Sequence, residues 1–466
     1  MKLLISINKF KEIFWLPLVL IHLFFLINTK FTLWPEMVVY PYLLNNHFSL
    51  YHDIITNYPP TFIYFLSFWS RVFGYQPINF QILTYLVIVF IDFLVFSIAS
   101  KIYGRREALL GLLFFIIFSI PFAINGLWFD LIVTPFILAS FYYFVVFFKK
   151  PRLINLFLSL GILTIGFFIK QQVIWVLIWF LIILSFKFRK RPKFIVPKIF
   201  ISMIPMAALV VFFFFFFAQR NLLAEYIYWN FLFPFSIAAP GAGYNLLPGF
   251  RQILTIAALF ILFLPILQKG KFTEKLTLFI AVILVAFAYR FDFFHLIPSL
   301  SILSLAAGIN LKYLSKASRW LYFLLIPGLI VTTFCVRYIF LNWQQPIRFF
   351  EQNILTSAKL LEIVDWDNQP VYIQNGPDQL LPLAGRLPIK PWADEFPWYL
   401  ERGGMQERIV SAMETHRPQF IVYKPYGNKG KYDLGSYRPA EIADYIDQNY
   451  INLTRINDNL WLKIKK

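Results

Sequence analysis

Long apolar stretches separated by short basic turns run from about residue 12 to residue 342, and there the pattern stops. Windows able to cross hydrocarbon, which takes about 20 residues, fall near 12–29, 79–100, 106–124, 128–148, 153–170, 171–186, 195–218, 250–268, 275–290, 296–311 and 320–342. About eleven transmembrane helices are therefore expected. The segment Pro59 to Gly74 is apolar too, but it is short, opens on two prolines and contains Arg71. It is read as a surface or re-entrant helix, because counting it as a span would reverse the side of every later loop.

From Asn342 onward the strand-like runs Val371–Ile373, Phe420–Tyr423 and Leu460–Ile464 alternate with helical stretches at Ile347–Val364, Met405–His416 and Pro439–Gln448. Such alternation predicts a small α/β domain, and roughly 120 residues can hold a modest core of their own. The expected fold class is thus a membrane all-α bundle over residues 1–342, with a first outer loop at 29–78, followed by an α/β domain at 343–466.

Composition agrees with lipid as the solvent for most of the chain. Hydrophobic residues make up 59% of 466 positions and charged residues 14%, which excludes an ordinary soluble enzyme. The net charge of +19 is confined to the membrane part, because residues 343–466 carry 15 basic and 15 acidic residues and the rest carry 28 and 9. With the N-terminus in the cytoplasm, 21 of those 28 basic residues fall in the N-terminal segment and in the gaps Lys101–Arg106, Lys149–Arg152, Lys187–Lys198, Lys269–Lys275 and Lys312–Arg319. This is the positive-inside bias of a multi-pass membrane protein, and it is not the footprint of a nucleic-acid binder. Asn28–Phe80, Arg220–Gly249 and the C-terminal domain are then extracytoplasmic. Lys2, Lys9 and Lys11 ahead of an apolar run resemble the start of a signal peptide, but no small-residue cleavage pattern follows Asn28, so the first span is read as retained.

Of the nine acids in residues 1–342, Glu36, Asp53, Asp130, Glu225 and Asp292 lie on or near the outer side, whereas Glu12, Glu107 and Glu274 sit beside cytoplasmic basic residues. Ionisable groups at membrane depth are costly unless paired or wet, so the one-sided concentration points to a polar cavity that opens outward. A single cysteine, Cys335, excludes an intramolecular disulfide, and no Cys/His cluster has zinc spacing. His47 and His52 are five apart and do not share a helical face. The sequence requires no cofactor and leaves a divalent metal open.

The first outer loop is the densest stretch, with Trp34-Pro-Glu-Met-Val-Val-Tyr40, Leu50-Tyr-His-Asp53, Asn57-Tyr-Pro-Pro60 and Phe73-Gly74 in that order. This order resembles the GT-C superfamily of membrane glycosyltransferases, especially bacterial relatives of the dolichyl-phosphate-mannose protein mannosyltransferases and the lipid A aminoarabinose transferase. There, an acid follows the first span, and a second acid precedes a Pro-Pro pair that opens a juxtamembrane helix ending in Phe-Gly. Gly104-Arg-Arg106, Asp130, Lys170 and the run Arg290–His295 with Leu296-Ile-Pro298 extend the match over most of the chain. Two departures stand out. Many members carry Asp or paired acids where this chain has the solitary Glu36, and many carry Arg where it reads Asn79-Phe-Gln81.

The resemblance implies an inverting transferase that moves a sugar from a polyprenyl-phosphate donor to a glycan, lipid or protein acceptor at the extracytoplasmic face of the plasma membrane. Glu36 is then the base that deprotonates the acceptor hydroxyl, with Asp53 orienting a substrate or sharing that role. Lys170, Arg290 and His295 are the donor-phosphate contacts, and Tyr40, Tyr58 and Asp130 the substrate contacts. One base suffices because the departing lipid phosphate is a stable anion, so the paired carboxylates of glycoside hydrolysis are not needed. A transporter or flippase of lipid-linked glycans is the alternative. It calls for internal repeats and broken spans in matching positions, and neither is seen in the sequence.

Overall fold

The computed structural model describes residues 15–237, 246–286, 290–315, 318–364, 369–426 and 437–466. It forms two compact units that interleave along the chain, one comprising Met1–Thr32, Gln81–Phe212 and Leu247–Pro346, the other Leu33–Phe80, Phe213–Leu246 and Ile347–Lys466.

The windows read from the sequence hold helices at nearly the expected bounds: Leu16–Asn28, Pro77–Tyr103, Arg105–Ala123, Phe129–Lys149, Leu153–Phe167, Ile174–Lys187, Pro192–Ser202 with Ile204–Ala218, Phe250–Ile261 with Leu264–Lys269, Phe272–Ala286, Ile297–Ser315 and Ser318–Asn342. Among the described residues, six helices are long and apolar enough to cross a membrane, and four shorter apolar helices of 10–17 residues occupy further windows. The expected span at 275–290 runs into residues 287–289, and Lys2, Lys9, Lys11 and Glu12 precede residue 15, so these lie outside the described residues. The span expected at 250–268 is interrupted just before Pro265, which opens a new short helix, as proline does at a first turn.

The first unit is sided for lipid. Phe186, Phe200 and Phe340 are exposed, an arrangement that hydrocarbon covers at no cost and water does not. Its tightest helix pair is Arg105–Ala123 against Ile297–Ser315. A Cβ added at Gly111 would lie 2.4 Å from the Ser304 carbonyl oxygen, and one at Gly308 would lie 2.1 Å from that of Glu107. Backbones approach this closely in membranes only where both faces offer small residues.

In the second unit the segment read as a surface or re-entrant helix is the 14-residue helix Pro60–Phe73. It buries Phe62, Ile63 and Leu66 while exposing Phe65, Phe68, Val72 and Phe73. Gly74 ends it at φ +83, where its amide donates to the Ser70 carbonyl at 2.8 Å; a positive φ favours glycine. Asn45, the last residue of helix Glu36–Asn45, ties the two helices together, accepting from Ser67 Oγ at 2.6 Å and from Arg71 Nε at 2.9 Å.

The α/β expectation for the C-terminal region is met. A four-stranded sheet runs in the order Tyr372–Gln374, Phe420–Tyr423, Leu460–Lys465, Tyr450–Asn457. The first pair is parallel, with Ile373 opposite Val422, and the others are antiparallel. The edge strand Tyr450–Asn457 was not anticipated. It is mostly exposed and reads Tyr-Ile-Asn-Leu-Thr-Arg-Ile-Asn, too polar to stand out as a buried strand. Within the same unit a two-residue parallel ladder joins Ile54–Ile55 of the first outer loop to Trp392–Ala393.

Candidate functional site

Glu36 stands in the first turn of helix Glu36–Asn45, which begins directly after Pro35. That position sets a carboxylate beside the positive end of the helix dipole, and burial to 5% exposure keeps it from bulk water. One turn on, Tyr40 is fully buried with its ring edge-on to Trp392 at 5.7 Å. Burial above all pushes the Tyr40 phenol pKa up, and the charges of Asp394, Tyr399 and Glu36 push it further, against a hydrogen bond with Thr56. The fields of Glu36 and Asp394 thus both reach the Tyr40 hydroxyl.

Asp53 is bound on every side. One oxygen accepts from the Ser49 amide at 2.8 Å and from Lys390 Nζ at 2.9 Å, and the other pairs with His52 Nδ1 at 2.9 Å. Its backbone carbonyl accepts from the Trp392 amide at 2.7 Å. Burial alone would raise the Asp53 pKa, but the bonds from Ser49, Lys390 and His52 outweigh it and hold the carboxyl below its ordinary value. Further along, Asn57 Oδ1 accepts from the Tyr399 hydroxyl at 2.9 Å, and the Tyr58 carbonyl from the Tyr51 hydroxyl at 2.9 Å. Tyr40, Asp53 and Asn57 of the outer loop therefore each meet the segment 390–399.

In the other unit, three more of the named residues meet. Asp130 lies in the first turn of helix Phe129–Lys149. Lys170 sits in extended backbone where the chain passes from helix Leu153–Phe167 into the turn Gln171–Val173. His295 lies on the 3-10 turn Phe293–Leu296, which Asp292 caps by accepting from the Phe293 amide at 2.6 Å. Lys170 Nζ reaches the two Asp130 oxygens at 2.7 and 2.6 Å, and His295 Nδ1 lies 2.9 Å from Asp130 Oδ2 and 3.1 Å from Lys170 Nζ. All three line one pocket whose other walls include Gln172, Trp175 and Ile283. An ammonium has three donors. Two rest on Asp130, which compensates the lysine charge, and His295 Nδ1 lies within reach of the third. Arg290 is half-buried, two residues before the capping Asp292.

His52 turns its Nδ1 to Asp53. Among the described residues no group of three or more His, Cys, Asp or Glu is placed to hold a metal ion. Sequence reasoning missed Lys390 and Asp394. Nothing local to either residue announces it, because Lys390 meets its partner Asp53 across 337 positions.

No family model matches the sequence, and no curated protein matches it. Solved structures do match by shape. The chain is similar to ArnT, a lipid A aminoarabinose transferase, from Cupriavidus metallidurans bound to undecaprenyl phosphate, with a TM-score of 0.63 at 10% identity, covering 97% of each chain. Against the apo form of that protein the TM-score is 0.60 at 11% identity, covering 98% of each. It is also similar to the archaeal oligosaccharyltransferase AglB from Archaeoglobus fulgidus, solved with an inhibitory peptide and a dolichol-phosphate, at a TM-score of 0.50 and 11% identity, covering 89% of this chain and 70% of that one. The chain shares the fold of these two membrane proteins, the fold that its motif order leads one to expect.

Proposed function

We propose that this chain is an inverting glycosyltransferase that moves a sugar from a polyprenyl-phosphate donor to an acceptor at the extracytoplasmic face of the plasma membrane. The observation that carries this reading is the likeness of fold, over nearly the whole of both chains, to a transferase solved with undecaprenyl phosphate.

In this reading Glu36 takes the proton of the acceptor hydroxyl as its oxygen attacks the anomeric carbon from the face opposite the phosphate. The bond from that carbon to the phosphate oxygen breaks, and polyprenyl phosphate leaves as an anion that needs no proton. Lys170 turns an N–H to a phosphate oxygen while Asp130 holds it in place, and His295 and Arg290 complete the anion contacts. The apolar walls of the cavity around Lys170 suit an isoprenoid chain next to a phosphate. Asp53, with both oxygens engaged, shapes the loop that presents Tyr40 and Tyr58 to a substrate. The acceptor is a glycan, lipid or protein hydroxyl.

Glu36→Gln keeps the size and the helix turn but removes the base. Purified protein in lipid vesicles, supplied with a polyprenyl-phosphate sugar, is expected to lose transfer by roughly 10²–10⁴-fold with an unchanged thermal unfolding profile. Transfer at the wild-type rate contradicts the role of Glu36.

A further inference from the structure

Within the first unit three basic turns come together, and the proposed transfer uses none of them. They are the gaps Lys149–Arg152, Lys187–Lys198 and Lys269–Lys275, which hold three, six and three basic residues against a single acid, Glu274. Aromatic rings join them. Phe188, in the turn between helices Ile174–Lys187 and Pro192–Ser202, packs on Phe147 at 5.8 Å and on Phe194 at 5.7 Å. Phe148 carries the cluster onward, with its ring 6.4 Å from Phe188 and 5.4 Å from Phe272. Lys187 Nζ stands 5.1 Å from the centre of that Phe272 ring. The packing therefore fixes the three turns against one another on one face.

The one acid does not neutralise this face. Glu274 is buried, and one of its oxygens accepts from the Lys271 amide at 2.6 Å and from the Tyr313 hydroxyl at 2.8 Å. Eleven of the twelve basic side chains are exposed, Lys198 being half-buried. Among the described residues none of the twelve forms an ion pair. Large apolar groups stand beside them: Phe186 is 70% and Phe200 72% exposed, with exposed Phe194 and Val196 between them in the chain. A positive-inside bias asks only that basic residues lie on one side. It does not ask that three turns be drawn together without acids, and like charges so placed repel unless counter-charges sit among them.

We infer that this face docks the headgroups of anionic phospholipids in the leaflet it borders. Clustered Lys and Arg beside a membrane helix attract anionic lipid, and their N–H groups bond phosphate oxygens. The apolar neighbours decide between lipid and a soluble acidic partner. A soluble protein would answer the charges and leave Phe186 and Phe200 to other cover, whereas one lipid brings a phosphate for the basic groups and acyl chains for the rings. The face shares no residue with the proposed donor site, so it depends neither on the transferase reading nor on which side of the membrane the turns occupy.

The test uses the full-length protein in phosphatidylcholine vesicles that contain a trace of photoreactive lipid, either phosphatidylglycerol or phosphatidylcholine, with the reactive group at the same place near the head. Cross-linked peptides are identified by mass spectrometry. Peptides covering 149–152, 187–198 and 269–275 are expected to take up phosphatidylglycerol at least about fivefold more than phosphatidylcholine, and 1 M salt should shrink that preference, because it screens exposed charges beyond about 3 Å. Replacing Arg189, Lys190, Arg191 and Lys193 together by Gln should lower phosphatidylglycerol labelling of 187–198 by at least about fivefold, with the unfolding temperature as a check on folding. Equal labelling by the two lipids, which would leave the face to a soluble acidic partner, overturns the proposal. So does a preference confined to other peptides, or wild-type labelling of the folded fourfold variant. The comparison of lipids and the salt dependence are read on the wild type, so a misfolded variant does not block the test.

Discussion

At the scale of single residues, the two outer-loop acids part company. Glu36 is a buried carboxylate at a helix start, whereas Asp53 is saturated by Ser49, Lys390 and His52. The Asp53 carboxyl titrates below its ordinary value of 3.8 in the fold, so its contribution to stability is complete above that value and is lost as pH falls through the lower, folded one. Comparing the unfolding of the wild type with that of Asp53→Asn should show a gap of about 1–3 kcal/mol that is constant from pH 7 to about pH 5 and closes in stronger acid. A gap that widens in acid contradicts this account. Some residue-scale features were legible in the sequence. Asp130, Lys170 and His295, far apart in the chain, were each singled out and share one cavity. Asp92, alone in the middle of a span, carried a signal that went unused, since an acid there demands a partner; His22 is that partner. Lys390 had no such signal, because an exposed-looking lysine before a proline is ordinary until its distant partner is known.

At the scale of elements, apolar length placed the helices and their ends within a few residues, and the Pro-Pro to Phe-Gly stretch forms a 14-residue helix of its own. What the pattern could not convey was which helices touch. The closest pair rests on Gly111 and Gly308, two glycines in helices that otherwise look like their neighbours. Gly308→Ala should cost about 1–3 kcal/mol through overpacking, read as a lower unfolding temperature in detergent. Gly328→Ala, where an added Cβ meets nothing within 4 Å, should be neutral or slightly stabilising by helix propensity. Equal effects at the two positions contradict the close approach. The edge strand Tyr450–Asn457 escaped for the opposite reason, since an exposed edge has little apolar alternation to detect.

At the scale of the whole molecule, the uneven distribution of basic residues predicts which loops face the cytoplasm. Single cysteines in a Cys335→Ser background offer a direct check with a membrane-impermeant maleimide on intact cells. Replacements of exposed residues in the C-terminal domain, such as Lys359 or Glu414, are expected to react at once, and replacements of Arg189 or Lys190 only after permeabilisation. The reverse pattern would invert the orientation and place Glu36 in the cytoplasm. Composition set the membrane class, and motif order pointed to the fold that the solved structures share. The chemistry is the part that fold likeness at 10–11% identity leaves to experiment.

The central claim is single displacement at an anomeric carbon bound to a lipid phosphate. Incubating the purified protein with a polyprenyl-phosphate sugar of known anomeric configuration and determining the configuration of the product by NMR tests it most directly. The account predicts consumption of the donor, release of polyprenyl phosphate and a product of inverted configuration; retention of configuration, or a donor left intact across a panel of sugars and acceptors, would contradict it.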